Sequence, residues 1–390
     1  MNEKKAIIVL SLLFHSAISF AVGQGQTVKL FATKGKVDIR ISSSTHYLIV
    51  SNLSLAKPYV ADLQNNNQII HKGKDLCTIL QLSKDEKYIA EYRTEESCYD
   101  PDSPTWQEIK LFDLKTQEVV FSTKGRRASF SDDSKYMAYE LEEPAVSTVN
   151  LVELGSFIQK KGLCSYRNPD GFYRYNVISQ NGKFIFCHSD EVNKPYQVKE
   201  ISSGKVVTEI NWNGFSQTFD KEFSGDNRFW FWNDYGTFGP RAYDLNAGGA
   251  AIKIPEVEDA KLISLGFSND ARYMLTLDAV RISVGSDSRN DYYWNFRDLS
   301  SMDTTRTLHT KEITTYPAID SQKKIFYSLA PDFTYRAYRL DGTELWRVTL
   351  ESAGRQQTFH TSYDGSVFII HNADSDGIYE TAVYRATPPH

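Results

Sequence analysis

The sequence lacks the short motifs that would assign it an enzymatic activity. It contains no Gly-x-Ser-x-Gly elbow, no Cys-x-x-Cys-His haem attachment site, and no His-Glu-x-x-His or similar metal-binding spacing among its 8 histidines. It also lacks an excess of basic residues, since residues 24–390 carry 42 Lys and Arg against 48 Asp and Glu, a net charge of −6. This balance argues against a nucleic-acid partner.

Long apolar runs are absent apart from one, at residues 6–22, which follows the basic start MNEKK and precedes small residues. This pattern predicts a signal peptide over residues 1–23, cleaved after Ala21 or Gly23. An uncleaved anchor is the alternative, but polar residues interrupt the run, and a membrane span needs about 20 apolar residues. We therefore expect a secreted or periplasmic protein with no membrane span once the signal peptide has been removed.

Low-complexity linkers are absent as well, so residues 24–390 are expected to form a single domain, although the length alone would allow two. Hydrophobic residues make up 41% of the chain and aromatic residues 13%. A chain of this size and composition should bury about three quarters of the surface that its unfolded state exposes. The sequence therefore predicts one large packed core or one continuous series of cores.

What the sequence does contain is a repeated turn, most clearly FSDDSKYMAYE at residues 130–140. The pattern is Ser-x-Asp/Asn-x-Lys/Arg-Tyr/Phe followed by alternating apolar residues, which is typical of a strand, a tight turn and a second strand. Eight copies, three of them weaker, are led by Ser42, Ser83, Ser131, Ser179, Ser224, Ser268, Asp320 and Ser362. Their spacings of 41 to 52 residues are those of propeller blades.

Each repeat also shows four strands, which we term A to D. In the second repeat they are predicted at residues 78–83, 88–93, 109–114 and 118–122. The chain begins with a D-type strand at residues 27–33 and ends after a C-type strand at residues 380–386, so the first strand should complete the last blade and remove exposed sheet edges. The predicted fold is all-β: an eight-bladed β-propeller of four-stranded antiparallel blades closed by the N-terminal strand, with seven blades as the alternative.

These turns resemble those of WD40-like propellers of the TolB and dipeptidyl-peptidase N-terminal type, whose signature is a Phe-Ser-Pro-Asp-Gly-Lys-like turn. The resemblance covers nearly all of residues 24–390. It departs from the family because no turn copy contains proline and the Gly-His partner of true WD40 repeats is missing. The resemblance implies a propeller fold, whereas members of this class serve as scaffolds, peptidase gates and binding modules.

The four cysteines are consistent with an exported protein. Cys77 precedes strand A of the second repeat and Cys98 follows its strand B, and Cys164 and Cys187 bracket the corresponding hairpin of the fourth repeat. Because an antiparallel hairpin brings such positions together, we predict the pairs Cys77–Cys98 and Cys164–Cys187, one of three possible connectivities. Four reduced thiols are the alternative.

Function is expected where the blades differ, which is in their B–C and D–A connections. Several of these are long, at residues 94–108, 160–173 and 279–292, and both kinds should emerge at the same end of a propeller. They concentrate aromatic and arginine side chains, the types that dominate binding energy at interfaces. The predicted ligand contacts are Tyr173, Arg174, Trp212, Tyr235, Tyr292 and Trp294, unless these aromatics pack the loops onto the blade ends.

One acidic segment, NADSDGIYE at residues 372–380, places oxygen ligands around a glycine much as a calcium loop does. Its potential calcium ligands are Asn372, Asp374, Asp376 and Glu380, although an ordinary acidic turn would look the same. No other cofactor is expected. The sequence thus favours a binding protein that docks a protein or glycan on its long-connection end, with a propeller enzyme (lyase, hydrolase or quinoprotein-like) carrying a loop-borne site as the alternative.

Overall fold

The computed structural model of the protein describes most of the chain after residue 22. The described residues are 23–34, 37–52, 57–93, 108–131, 133–142, 147–166, 177–179, 181–187, 195–210, 219–224, 226–234, 239–253, 260–268, 272–284, 287–299, 304–310, 318–329, 333–350, 355–362, 364–373 and 379–389. Within these ranges the protein is all-β, as predicted, and its one helical element is a 3-10 turn at Leu245–Ala247. No helix in these ranges has the length and apolar character that a membrane crossing needs.

The described strands form eight sheets, which we number along the chain. Strands β1 (Gly23–Gln24) and β2 (Gln26–Lys34) come first. Sheet 1 is built from β3 (Val37–Ile41), β4 (Tyr47–Asn52), β5 (Tyr59–Asp62) and β6 (Gln68–Lys72), and sheet 2 from β7 (Thr78–Leu82), β8 (Tyr88–Arg93), β9 (Glu108–Asp113) and β10 (Val119–Lys124). Sheet 3 is built from β11 (Arg126–Phe130), β12 (Tyr136–Glu142), β13 (Ser147–Glu153) and β14 (Gln159–Tyr166), and sheet 4 from β15 (Val177–Ile178), β16 (Phe184–Cys187), β17 (Tyr196–Glu200) and β18 (Val206–Ile210).

Sheets 5 to 8 follow the same order of strands. Sheet 5 is built from β19 (Phe219–Phe223), β20 (Phe229–Asp234), β21 (Gly239–Asp244) and β22 (Ala250–Lys253), and sheet 6 from β23 (Ala260–Phe267), β24 (Tyr273–Val284), β25 (Asp287–Asp298) and β26 (Thr304–Thr310). Sheet 7 is built from β27 (Ala318–Asp320), β28 (Ile325–Leu329), β29 (Thr334–Arg339) and β30 (Glu344–Thr349), and sheet 8 contains β31 (Arg355–Thr361), β32 (Val367–Ala373) and β33 (Tyr379–Thr387).

The two ends of the chain meet in sheet 8. Strand β2 pairs antiparallel with β33, from Gln26 opposite Thr387 to Lys34 opposite Glu380, and thereby becomes the fourth strand of that sheet. Strand β1 adds a short parallel fifth strand to sheet 7, where the Gly25 amide donates to the Arg347 carbonyl at 2.8 Å. The N-terminal strand thus lies in the sheet that contains β32, where the sequence placed it.

The serine of the repeated turn ties the two strands of the A–B hairpin together. In sheet 3 the Ser131 hydroxyl donates to Asp133 Oδ1 at 2.8 Å and accepts from the Tyr136 amide at 3.0 Å. The third residue after the serine has a positive φ, 54° at Ser134 and 64° at Gly182. This conformation costs least for glycine, which fits Gly182, whereas Thr45 and Glu86 adopt it at the same position of their turns.

The basic residue of the motif covers the aromatic residue that follows it. The Lys87 ammonium lies 5.1 Å from the ring centroid of Tyr88, and the Arg228 guanidinium carbon lies 4.6 Å from that of Phe229. Such a cation over an aromatic face is worth about 0.5–1 kcal/mol at an exposed site. The Lys/Arg-Tyr/Phe pair therefore stabilises the turn locally.

Hydrophobic cores lie between sheets that follow each other along the chain. Val60 of sheet 1 packs with Leu80 and Ile89 of sheet 2, and comparable clusters join sheets 2 and 3, 3 and 4, 4 and 5, 6 and 7, and 7 and 8. A further cluster joins sheet 8 to sheet 1 and includes Val367 and Val50. The side chains of β23, at the junction of sheets 5 and 6, lie outside the described residues.

The bridge between Cys164 and Cys187 is present, with their Cα atoms 5.5 Å apart, so this predicted pair is confirmed. The reason given for it was wrong, because the two cysteines do not bracket one hairpin. Strand β14 continues alongside β13 past Cys164, which keeps that residue in sheet 3, whereas Cys187 ends β16 of sheet 4. The bridge therefore joins two sheets. Cys77 is also disulfide-bonded, and its predicted partner Cys98 lies outside the described residues.

Candidate ligand-binding cleft

The B–C and D–A connections leave the sheets at the end opposite to the Ser-led turns, and most of their residues lie outside the described ranges. Four predicted ligand contacts, Tyr173, Arg174, Trp212 and Tyr235, are among those residues. The structure therefore gives no geometry for them, and they remain predictions. The described residues at this end are the last residues of the B and D strands, the first residues of the A and C strands, and parts of the connections.

Of the predicted ligand contacts, Trp294 and Tyr292 are described. Trp294 is only 2% exposed and packs in a cluster with Leu277 and Phe296, and Tyr292 is half-buried against the same cluster. Alternate residues of β25 face sheet 7, which places both rings in the core between sheets 6 and 7. The burial of Trp294 thus favours the alternative given above, in which such aromatics are packing residues.

The connection predicted at residues 279–292 is wrong for a related reason. Strand β24 continues to Val284 and β25 begins at Asp287, so these residues form a long hairpin paired from Val280–Asp291 to Val284–Asp287. The β-branched residues Val280, Ile282 and Val284 alternate along this segment, a pattern typical of a strand. The segment at 160–173 is likewise a strand in its described part, since β14 extends to Tyr166.

Of the predicted calcium ligands, Glu380 is the one whose side chain is described. Its carboxylate accepts from the Lys29 ammonium at 2.7 Å, which ties β33 to β2. Asp374 and Asp376 lie outside the described residues, as does the side chain of Asn372. Among the residues that the structure describes, no three His, Cys, Asp or Glu side chains come close enough together to hold a metal ion.

A charged cleft opens at the long-connection end between sheets 1 and 2. Its walls come from the D–A connection after β6, the start of β7, the end of β8 and the start of β9. The lining residues are Lys74, Thr78, Glu91, Tyr92, Arg93, Glu108 and Lys110. The apolar contact between these two sheets, around Leu80 and Ile89, thus gives way to charged side chains as it approaches this end.

The connection on one side of the cleft is held by Asp75. Its carboxylate accepts from the Cys77 amide at 3.0 Å and from the Thr78 hydroxyl at 3.2 Å, and it pairs with the guanidinium of Arg93 on β8. The disulfide bond of Cys77 is a further covalent restraint on this segment. A wall fixed in this way loses little conformational entropy when a ligand binds.

Behind Glu91 lies a buried histidine that sequence reasoning did not single out. His71 of β6 is 8% exposed, and its ring packs edge-on against Phe112, with the ring centroids 4.8 Å apart. Its Nδ1 lies 2.8 Å from Gln117 Oε1, and its Nε2 lies 3.5 Å from Glu91 Oε2. The histidine therefore connects sheet 1 to two parts of sheet 2.

One residue of the cleft, Glu91, is unusual at its position in the repeats. Glu91 stands eight residues after the lead serine of its repeat, where other repeats have Val50, Tyr139 and Cys187, all of which are buried. The other repeats have an uncharged residue at this position, including the buried Thr276 and Ser328, and a carboxylate there costs free energy unless it is paired. Alignment of the eight repeats could thus have marked Glu91 as unusual, but not the histidine that faces it from the neighbouring sheet.

A second buried polar cluster lies within sheet 6. Thr276 and Asn295 both donate to Asp278 Oδ2, from the Thr276 hydroxyl at 3.0 Å and from the Asn295 side-chain amide. Arg297 is 2% exposed, and its burial lowers the pKa of its guanidinium, while the nearby Asp278 carboxylate acts in the opposite direction. These residues do not line the cleft, and their hydrogen bonds within the sheet indicate a structural role.

No protein-family model matches this sequence, and a search of curated proteins found no match either. The resemblance to WD40-like propellers therefore rests on the repeated turns themselves. The repeats carry information about the fold, whereas any statement about function has to come from the surface at the long-connection end.

Proposed function

We propose that the protein is an exported eight-bladed β-propeller, closed by β2, that binds a protein or glycan ligand at the end where the B–C and D–A connections emerge. The order of the cores supports the ring, because they join successive sheets and also join sheet 8 to sheet 1. Contacts of β11 with β7 and β15, and of β15 with β19, support the placement of the A strands around a common axis. Disulfide bonds support export, since they persist in oxidising compartments.

The observation that carries the binding role is the difference between the two ends of the sheets. At one end, the Ser-led turns are short and bonded to one another, as where the Asp85 amide donates to the Ser134 hydroxyl at 2.9 Å. At the other end lie the long connections and the charged cleft between sheets 1 and 2. A rigid scaffold that presents variable connections at one end is a common arrangement for ligand binding.

Capture of ligands from the extracellular fraction of the source, followed by a direct binding measurement, tests this role. Trp212→Ala should weaken binding by about thirtyfold, or about 2 kcal/mol, without changing the melting temperature, as expected for an aromatic ligand contact. Lys115→Ala, at the end of the Ser-led turns, is the matched control and should bind as the wild type does.

Trp294→Ala serves as a second comparison, because this residue lies in the core and its loss should lower the melting temperature. The proposal fails if Lys115→Ala weakens binding while Trp212→Ala does not. It also fails if the purified protein captures no ligand.

A further inference from the structure

His71, Gln117 and Glu91 form a chain of polar groups whose hydrogen positions can be assigned. The Gln117 side-chain amide nitrogen donates to the Leu114 carbonyl at 2.6 Å, which points its oxygen, Oε1, at His71 Nδ1. An amide oxygen can only accept, so Nδ1 must carry a hydrogen. The other ring nitrogen, Nε2, is then the one that can gain or lose a proton.

In neutral His71, the Nε2 lone pair would face a carboxylate oxygen of Glu91 at 3.5 Å, and in the described part of the chain this nitrogen has no hydrogen-bond partner. Both groups are then acceptors, which leaves a buried nitrogen unsatisfied. Protonation of Nε2 turns this contact into an ion pair. A hydrogen on Nε2 would thus give this buried nitrogen the partner that it lacks in the neutral form.

The charges around this site balance only when His71 is neutral. The side chains of Lys74, Arg93 and Lys110 supply three positive charges, and those of Asp75, Glu91 and Glu108 supply three negative charges. The Lys110 ammonium lies 3.4 Å from Glu108 Oε2. Lys110 on β9 is also directly opposite Glu91 on β8. A proton on His71 offsets the charge of Glu91 and leaves the cleft with a positive charge in excess.

Lys74 is the cation most open to a ligand. It is exposed at the mouth of the cleft and has no ion-pair partner among the residues that the structure describes. Arg93 and Lys110, by contrast, have carboxylate partners next to them. Lys74 is therefore the cation of the cleft that an acidic ligand can reach without displacing a carboxylate partner.

We propose that this cleft binds a carboxylate group of the ligand and that His71, acting as a positioning residue behind Glu91, makes the binding tighter as the pH falls. The inference rests on the ligand-binding role proposed above. Protonated His71 forms an ion pair with the Glu91 carboxylate. The negative charge of Glu91 is then partly neutralised and repels the carboxylate of an incoming ligand less. The ligand carboxylate is then bound by Lys74 and Lys110.

The experiment measures binding of two carboxylate probes, hexaglutamate and trigalacturonate, to the full-length mature protein at about pH 5.5 and pH 8. At least one probe should bind on the order of tenfold more tightly at the lower pH, as expected for one charge added near the site. The two probes distinguish an acidic peptide from an acidic sugar as the source of the carboxylate. Hexalysine is the opposite-charge control and should not bind more tightly at the lower pH.

Glu91→Gln separates the proton site from folding, because it keeps the shape of the side chain and its amide can donate to His71 Nε2. This variant should bind at both pH values as tightly as the wild type does at the lower one. His71→Gln should also lose the pH dependence, and Lys74→Ala should weaken binding at both pH values. A wild-type pH ratio near one, or an unchanged ratio in Glu91→Gln, would overturn the inference.

The outcome can be separated from that of the proposed function. If the captured native ligand depends on Trp212 but neither on Lys74 nor on pH, the long-connection end binds a ligand and the cleft inference is wrong. If the carboxylate probes bind with the expected pH dependence, the cleft is supported even where the native ligand relies on other residues of that end.

Discussion

A single turn residue illustrates how this chain joins one sheet to the next. In two of the Ser-led turns the third residue is a left-handed glycine that lies against the preceding sheet: Gly182 lies against Tyr136, and Gly365 against Tyr327. A Cβ at Gly182 would lie 2.1 Å from Cδ2 of Tyr136. The glycine is needed both for its positive φ and because the tyrosine ring occupies the space of a side chain.

This contact makes Tyr136 a test of packing between sheets 3 and 4. Its ring covers Gly182 and packs at the edge of the cluster around Ala138 and Ile185. Tyr136→Ala should lower the free energy of unfolding by about 2–4 kcal/mol, somewhat below the range for fully buried aromatics because the ring is only partly buried. Chemical denaturation measures the change, and Tyr136→Phe, which keeps the ring, should cost much less. A loss below about 1 kcal/mol would show that the ring contributes little to the junction.

Asp244 shows how one carboxylate holds a C–D turn. Its Oδ1 accepts from the amides of Asn246 and Ala247, and its Oδ2 accepts two hydrogen bonds from Arg228, at 2.9 and 3.1 Å. Burial alone would raise the pKa of Asp244, but these hydrogen bonds and the Arg228 charge outweigh it, and the pKa lies below its usual range. The turn is thus joined to the Lys/Arg position of its own repeat.

A carboxylate whose pKa is depressed in the folded state stabilises the protein above its unfolded pKa of about 3.9, and this contribution is lost as the pH falls through the folded pKa. Asp244→Asn should therefore destabilise the protein near neutral pH and much less near pH 2. Asp62→Asn is the matched control, since His46 stands in that repeat where Arg228 stands here. An equal loss of stability for Asp244→Asn at both pH values would show that hydrogen bonding, not charge, holds the turn.

At the scale of strands and sheets, most boundaries could be predicted from the sequence. The strand predicted at residues 88–93 is β8, and those at 27–33 and 380–386 lie within β2 and β33. These strands alternate apolar and polar residues and are bounded by turn residues, which are local signals. The cleft could not be predicted in the same way, because Glu91 and His71 belong to different sheets and their contact depends on how the sheets pack.

The same limit explains the error at residues 279–292. The length of the segment between the predicted B and C strands favours a loop, but the segment continues as a paired hairpin, and Tyr292 and Trp294 pack in the core between sheets 6 and 7. Sequence alone does not say which face of such a segment is covered. Only the neighbouring sheet decides whether a tryptophan is a binding residue or a packing residue.

The disulfide bond between Cys164 and Cys187 is an element-scale restraint, since it links β14 of sheet 3 to β16 of sheet 4. It closes a loop with a sequence separation of 23 residues, for which chain entropy predicts about 3 kcal/mol of stabilisation. Replacing both cysteines by alanine should lower the free energy of unfolding by about that amount in a urea titration. Peptide mapping without reductant should still find Cys77 in a disulfide bond, and a loss below about 1 kcal/mol would contradict the prediction.

At the scale of the whole molecule, the contacts between sheet 8 and both of its neighbours connect the two ends of the chain. Val367 and Val383 of sheet 8 pack with Val37 and Val50 of sheet 1, and Phe368 packs with Tyr335 of sheet 7, with ring centroids 4.2 Å apart. A closed ring would leave no sheet without a partner on either face, which limits exposed edges and apolar surface. In such a ring, stability should depend on β2 far more than its length suggests.

Deletion of residues 24–36 tests this dependence. Without β2, the edge of β33 loses its partner from Gln26 to Lys34, and Leu30 and Phe31 no longer pack on the cluster between sheets 8 and 1. The truncated protein should melt at least about 10 °C lower and associate through the open edge. A synthetic peptide of residues 24–36 added in trans should restore the monomer and raise the melting temperature, whereas a peptide of the same composition in scrambled order should not. If the truncated protein stays monomeric with an unchanged melting temperature, β2 does not close the ring.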